Sequence, residues 1–198
     1  MQVMTTICSH SFDDYLRMVE SFHGHVAPGM VLGGFMVALA LRHLPAGELL
    51  DALCETPKCL PDAIQLLTPC TVGNGWLRVV NLGRFAMTLY EKRSGEGVRV
   101  SVDPSRMEPW PEIRDWFLKL KPKEAQDRRL LLEQIREAGS GLCGVRPVRL
   151  LADFLTVRRR GSLAICPECR ESYPADDGVT CLGCQGGAPY RTDGPPRQ

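Results

Sequence analysis

Apolar positions recur every three or four residues near the start of the chain. Ser11 and Asp14 open this segment with the spacing of a capping box. The apolar positions that follow are Tyr15, Met18, Val19 and Phe22. A second, almost wholly apolar segment starts at Pro28 and is stopped by Pro45 and Gly47. The pattern predicts two consecutive helices, the first ending near "FHGH" and the second running to about residues 42–44.

The pattern then changes to short runs rich in β-branched and aromatic residues. "LLDALCE" predicts a buried strand and "PDAIQLL" a short helix. Further strands are predicted at 76–82, 85–92 and 97–103, the last two joined by the turn "RSGEG". Helices are predicted in "PWPEIRDWFLKL" and in "KEAQDRRLLLEQIREAG", and "VRPVRLLADFLTVRRR" at 145–160 favours a strand. The chain therefore predicts an α+β fold with helices packed on an antiparallel sheet.

Composition narrows the class of protein. The 198 residues suit one core domain, which we place at 1–160, followed by a small unit with a flexible tail at 161–198. A net charge of +1 gives no general attraction to nucleic acid or to anionic lipid. The longest apolar stretch, at 26–41, has 16 residues and includes Pro28, so it indicates a buried helix rather than a membrane span. The start shows no secretory pattern, and we expect a cytoplasmic protein.

Four of the nine cysteines form two C-x2-C pairs separated by eleven residues. They are Cys166, Cys169, Cys181 and Cys184. Each pair can direct two thiolates at one ion from a tight turn, and two pairs complete a tetrahedral structural site. The spacing predicts a zinc ribbon that depends on its metal to fold, with iron as the alternative ion.

Other features near these cysteines have simpler interpretations. Cys8, Cys54 and Cys143 are interpreted as small buried hydrophobic residues. "RRR" at 158–160 is interpreted as a solvated basic linker, with nucleic-acid binding as the less favoured alternative.

The segment "SFHGHVAPGM" places His23 and His25 just before the predicted helix start at Pro28. In the extended turn before a proline, both rings can face the same way. Cys59 also precedes a helix start, where thiolate is stabilised and can bind metal. A hydrogen-bonded cluster without metal remains the alternative at this position.

Two stretches together resemble the E-subunit family of formylmethanofuran dehydrogenase. The stretches "HGHVAPGMVLG" and "ETPKCLPDAIQLLTPCTVGNG" are similar to that family's two motifs. The resemblance implies an α+β core, a C-terminal zinc ribbon and a homodimer. It also implies an active-site or metal-binding pocket formed by His23, His25 and Cys59, with other motif residues nearby. Those neighbouring residues are Glu55, Asp62, Gln65, Cys70 and Thr71.

Ala27 stands where the family usually has cysteine. Alanine cannot ligate a metal, so His23, His25 and Cys59 would form a three-ligand site with an open position. The expected second ion is Zn, Ni or Fe, held more weakly than the ribbon metal.

The resemblance implies an accessory subunit or a small metalloprotein of one-carbon or formate-type redox metabolism. Its partners would be molybdenum or tungsten pterin enzyme subunits, because this chain has no ferredoxin-type cysteine run of its own. The alternatives are a zinc-ribbon module that binds nucleic acid or protein, with a ligand- or metal-sensing core, and a metal-delivery protein.

Overall fold

The computed structural model describes residues 6–45, 47, 49–155 and 161–190. The chain forms two compact units, residues 1–155 and 156–198. The "RRR" segment and most of the expected flexible tail lie outside the described residues.

The first unit begins with a two-stranded hairpin, β1 (Thr6–Ile7) and β2 (His10–Ser11), and two helices, α1 (Phe12–His23) and α2 (Pro28–Arg42). The predicted capping box is confirmed, because the Asp14 backbone N–H donates to the Ser11 hydroxyl over 3.1 Å. Gly24 ends α1 with a φ of +84°, the left-handed conformation that suits glycine. The chain therefore reverses direction between His23 and His25.

A five-stranded sheet forms the other layer, in the order β4-β3-β5-β6-β7. Its strands are β3 (Leu50–Cys54), β4 (Leu77–Val79), β5 (Ala86–Glu91), β6 (Glu96–Val102) and β7 (Cys143–Arg149). The β5–β6 hairpin turns where expected, with Gly95 at a φ of +73°. The α+β prediction is confirmed.

The sheet is not wholly antiparallel as predicted. Strands β3 and β4 pair in parallel, with Ala52 opposite Leu77. Helix α3 (Leu60–Leu67) lies between them in the chain, so β3, α3 and β4 form a strand–helix–strand crossover. A crossover helix returns the chain to the same end of the sheet, and the second strand must then run parallel to the first.

Two helices separate β6 from β7, namely α4 (Pro111–Phe117) and α5 (Arg128–Ala138). The Asp127 carboxylate caps α5 by accepting from the Leu130 backbone N–H over 3.0 Å. The strand predicted at 145–160 was too long, because β7 ends at Arg149 and a short helix, α6 (Ala152–Leu155), follows. Pro147 lies within β7, which is an edge strand, where a missing N–H does no harm.

Helix α2 is the centre of the first unit. Every residue from Gly29 to Ala40 is buried, as expected for a helix that is apolar on all sides. Its glycines permit close approach: a Cβ added at Gly33 would lie 2.7 Å from the Ala63 Cβ, and one at Gly34 would lie 2.6 Å from the Tyr15 ring. The Tyr15 hydroxyl donates to the Met30 carbonyl over 2.8 Å, so α1 and α2 are also joined by a buried hydrogen bond.

Among the described residues, no single helix is long and apolar enough to cross a membrane, and α1 and α2 meet that requirement only as a pair bent by 120°.

The second unit contains a two-stranded hairpin, β8 (Leu163–Ile165) and β9 (Ser172–Pro174), and a helical turn at Gly183–Gly187. Tyr173 is buried, and its hydroxyl donates to the carbonyls of Gly178 and Val179 over 2.8 Å. This small unit has little else that could serve as an apolar core.

We predict that Gly34→Ala destabilises the first unit by about 2 kcal/mol, because the new methyl group must displace the buried Tyr15 ring. Urea unfolding measures the effect. Gly144→Ala is the control, since no atom lies within 4 Å of the added Cβ there. Equal destabilisation by the two variants would contradict close packing between α1 and α2.

Candidate functional site

The four cysteines of the second unit form a ready metal site. Their Sγ atoms all lie within 4.8 Å of one another, and those of Cys169 and Cys181 are 3.7 Å apart. Tetrahedral zinc with Zn–S bonds of about 2.3 Å requires sulfur atoms about 3.8 Å apart. Backbone N–H groups of Cys181 and Cys169 lower the pKa of Cys166 to about 6, which favours the thiolate that zinc binds. The donor set and its spacing therefore fit zinc.

Each cysteine pair lies at a turn. Cys166 and Cys169 lie between β8 and β9, and Cys181 and Cys184 lie where the helical turn begins. The Cys184 backbone N–H points at the Cys181 sulfur over 3.4 Å. The local sequence thus presents both pairs of sulfur atoms to one point.

In the first unit, the two motif histidines lie side by side. Their ring centroids are 5.1 Å apart. His23 is largely buried, and its Nδ1 lies 2.7 Å from Oδ2 of Asp62. With Asp62 as acceptor, Nδ1 carries the proton and Nε2 keeps a free lone pair.

Asp62 is itself held in position by Gln65. The Gln65 amide donates to Oδ1 of Asp62 over 3.3 Å and accepts from the Val72 backbone N–H over 3.1 Å. Three of the predicted residues, His23, Asp62 and Gln65, therefore form one hydrogen-bonded chain.

Cys59 occupies a strained turn at the start of α3. Its φ of 55° and ψ of −54°, with a 2.6 Å hydrogen bond from the Leu60 N–H to the Lys58 carbonyl, define a γ-turn of positive φ. Such backbone costs about 1–3 kcal/mol in a residue other than glycine and is concentrated at functional sites. Gly29 makes room for this turn, since a Cβ there would lie 3.1 Å from the Cys59 sulfur.

The expected stabilisation of the Cys59 thiolate is not found. Burial, reinforced by the nearby Asp62 carboxylate, raises the pKa of the Cys59 thiol. The half-buried side chain loses more from desolvation than it gains from the helix start. Cys59 is therefore a protonated thiol at neutral pH until a metal or a base takes its proton.

The three residues proposed as ligands approach one another without forming a ready site. His25 is exposed and lines a cavity of about 580 Å³, whereas Cys59 lines a second cavity of about 610 Å³, and Trp116 and Lys119 line both. Within the part of the chain that the structure describes, the group of potential ligands with mutual distances below 4.8 Å is the cysteine set of the second unit. A shared ion for His23, His25 and Cys59 stays a prediction.

Other motif residues have structural contacts. The buried Cys70 thiol donates to the Leu50 carbonyl over 3.3 Å, and Thr71 exchanges hydrogen bonds with Asn74 in the following turn. Ala27 is buried at the N-cap of α2 and makes no side-chain cap. Burial raises the pKa of Cys54 to about 11 and that of Cys143 to about 12, in keeping with buried, unreactive thiols.

Glu55 is buried and binds two arginines. Arg99 contacts it twice, Nε to Oε1 over 2.6 Å and Nη2 to Oε2 over 2.9 Å, and Arg84 Nε lies 2.7 Å from Oε2. The Arg99 hydrogen bonds lower the pKa of Glu55, so it is a carboxylate at neutral pH. Sequence analysis did not identify either arginine. The only signal was a charged residue, Arg99, within the apolar strand "GVRVSV".

The two units together define an α+β core domain with a C-terminal zinc finger. The model of the family described as "FmdE, Molybdenum formylmethanofuran dehydrogenase operon" matches residues 22–152, and that of the "FmdE treble clef zinc finger" matches residues 157–191. The chain belongs to the FmdE family, and the resemblance found in the sequence is confirmed.

Two relatives extend this comparison. The chain is similar to the crystal structure of an FmdE-like protein of tungsten formylmethanofuran dehydrogenase from Syntrophus aciditrophicus, with 52% identity and a TM-score of 0.89 over 96% of this chain and 100% of that one. It is also 29% identical, over 86% of its length, to a "Probable S-adenosyl-L-methionine-binding protein" of Archaeoglobus fulgidus. The chain spans about half, 52%, of the length of that curated relative.

We predict that Cys169→Ser and Cys181→Ser each release zinc, because three thiolates hold the ion less well and metal binding supplies the folding free energy of this unit. Zinc content and limited proteolysis beyond residue 160 measure the effect. Cys8→Ala, in the first unit, is the control and should retain zinc. Full zinc content and an intact C-terminal region in both serine variants would contradict the assignment.

We also predict that Glu55→Gln lowers the free energy of unfolding at neutral pH by about 2 kcal/mol, since the buried carboxylate is lost and one of its arginines, Arg84, is already largely solvated. The folded-state pKa of Glu55 lies below its ordinary value of 4.5. Its stabilising contribution is therefore complete above that pH and is lost as pH falls through the folded-state value.

The loss of stability on acidification should accordingly be smaller in Glu55→Gln than in the wild type, as measured by urea unfolding across the acid range. Glu96→Gln removes an exposed pair with Arg149 and should change little. Identical stability and acid dependence for Glu55→Gln and the wild type would disprove a stabilising role for this cluster.

Proposed function

We propose that this metal-binding FmdE-family protein is a cytoplasmic accessory subunit or small metalloprotein of one-carbon or formate-type redox metabolism. In this proposal the C-terminal zinc is structural. The working site is in the core, where His23, His25 and Cys59 hold a second transition metal, Zn, Ni or Fe. The strained γ-turn that presents Cys59 at the edge of a pocket is the observation on which the proposal rests.

The residues around this site support metal binding by their chemistry. Asp62 fixes the His23 tautomer and leaves Nε2 available as a ligand, and Gln65 holds Asp62. His25 is exposed and free to turn toward an incoming ion. The methyl group of Ala27 adds no fourth ligand, so a coordination position stays open for a substrate or a water molecule.

The redox context comes from the relatives. The matching family is described by a molybdenum formylmethanofuran dehydrogenase operon, and the Syntrophus protein by a tungsten formylmethanofuran dehydrogenase. We therefore propose molybdenum or tungsten pterin enzyme subunits as partners of a homodimer of this chain. Co-elution of the purified chain with such an enzyme, and light scattering for its own oligomeric state, would test these two points.

A second candidate function is an interaction or regulatory module. Its support is a set of exposed apolar side chains on the zinc-finger unit, Leu163, Ile165, Val179 and Leu182. These side chains favour a protein partner over nucleic acid. The core would then sense a metal or a small ligand, and the name of the Archaeoglobus relative makes S-adenosylmethionine a ligand to test. Strong, salt-dependent retention on nucleic acid would instead favour a nucleic-acid partner.

The second metal is tested by titrating Co²⁺ into the zinc-loaded full chain, with zinc content followed in parallel. We predict one additional ion in the wild type and binding weakened by about tenfold or more in His25→Ala and Cys59→Ala, because each variant removes one of three ligands. Binding should also weaken below about pH 6, where imidazole protonates and competes with the metal.

Cys8→Ala is a matched control, because Cys8 is also half-buried and also has a positive φ, of 54°. It should bind the additional ion like the wild type. If the wild type binds no additional ion, or if the His25 and Cys59 variants bind it equally well, the motif residues are structural and the metalloprotein proposal fails.

A further inference from the structure

The cavity beside Cys59 has a lining that the proposed metal site does not explain. It has a volume of about 610 Å³, within the range of small-molecule sites. Its lining combines cationic and aromatic side chains and includes Lys58, Arg84, Arg99, Trp116, Phe117 and Lys119. No Asp or Glu is among the described residues that line it. A cavity with this lining repels free metal ions and attracts anions.

The positive charge of the cavity is held in place by Glu55. The carboxylate engages Nε and Nη2 of Arg99 and Nε of Arg84, which leaves the other guanidinium nitrogens of both arginines uncommitted by it. One carboxylate neutralises one of the two arginines, and the ammonium groups of Lys58 and Lys119 add further charge. Arginine donors oriented in this way are suited to carboxylate or phosphate oxygens.

An aromatic wall lies next to these cations. Phe85 and Phe117 pack edge to face with ring centroids 6.0 Å apart, and the Trp116 and Phe117 centroids are 5.8 Å apart. All three rings line the cavity. Aromatic side chains that are only partly covered by the protein offer a stacking surface to a planar ligand.

The adjoining cavity shows that the cationic character is specific to this side of the molecule. It shares Trp116 and Lys119 and adds Lys121, Lys123 and Arg128. Lys121 is neutralised by Glu112 and Asp115 at 2.9 and 2.8 Å, and Arg128 donates to the Val26 carbonyl over 2.7 Å. Lys119 therefore faces two cavities, and its positive φ of 56° fixes an unusual backbone at the point where they meet.

We propose that the cavity lined by Arg84, Arg99, Trp116 and Lys119 binds an organic anion that combines a planar ring with a carboxylate or phosphate group. The anionic group contacts the guanidinium and ammonium donors, and the ring lies against the aromatic wall. The ligand thereby lies beside the Cys59 thiol. This inference goes beyond the proposed function and does not require the second metal.

Four probes separate the two parts of the ligand. Phenyl phosphate and benzoate carry a ring and an anionic group, benzyl alcohol carries a ring alone, and inorganic phosphate carries charge alone. Ligand-observed NMR with the full chain, without added core metal, measures each affinity. We expect benzoate or phenyl phosphate, whichever anionic group the site prefers, to bind about tenfold more tightly than benzyl alcohol or inorganic phosphate, and we expect its binding to weaken as salt is raised.

Arg84→Ala and Lys119→Ala should each weaken the preferred probe by about tenfold, because each removes a charge-assisted donor. Arg84 is largely exposed, so its variant is expected to fold, and circular dichroism checks both variants. Arg93→Ala, an exposed arginine in the β5–β6 turn outside the cavity lining, is the control and should bind like the wild type.

The proposal is overturned if neither ring-bearing anion binds, if benzyl alcohol binds as tightly as they do, or if folded Arg84→Ala and Lys119→Ala variants bind like the wild type. Its failure is distinct from failure of the proposed function. Metal titration reports on His25 and Cys59, whereas probe binding in the absence of added metal reports on the arginine and lysine side chains.

Discussion

The burial of helix α2 is the constraint on which the rest of the first unit depends. A helix that is apolar on every side must be surrounded, and here α1, α3, α5 and the sheet all pack against it. Three of its glycines set the separation from its neighbours: Gly29 admits Cys59, Gly33 admits Ala63 and Gly34 admits Tyr15. A side chain at any of these positions would hold the neighbouring element away. The same close packing that stabilises the core therefore also places Cys59 at the edge of its cavity.

The second constraint is electrostatic. Glu55 lies at the end of β3, where the sheet is already buried, and a carboxylate there is tolerable only if it is paired. Arg99 from β6 and Arg84 from the turn before β5 provide that pairing. Because two cations answer one anion, the cluster leaves surplus positive charge at the surface of the cavity. A structural ion pair in this arrangement also prepares an anion site.

The two units are stabilised in different ways. The first unit has a large apolar core and needs no metal to fold. The second has one buried aromatic side chain, Tyr173, and four cysteines whose sulfur atoms already lie at zinc-binding distances. Metal binding there is folding free energy, whereas a metal in the first unit would bind to a structure that already exists. The ribbon site is consequently expected to be the tighter of the two.

The sequence by itself determined the elements and the ligand set of the zinc finger. Capping at Ser11, the start of α2 at Pro28, the β5–β6 turn and the spacing of the four cysteines are local properties, and local patterns report them well. Only the tertiary structure decided the parallel pairing of β3 with β4, which requires knowing where the crossover helix returns the chain. It also decided the direction of the Cys59 pKa shift, since burial by Gly29 and its neighbours outweighs the helix start. The union of Arg84 and Arg99 on Glu55, and the shared cavity wall of Trp116 and Lys119, join residues far apart in the chain, and such contacts leave almost no trace in a single sequence because they arise only when the sheet and α4 are packed together.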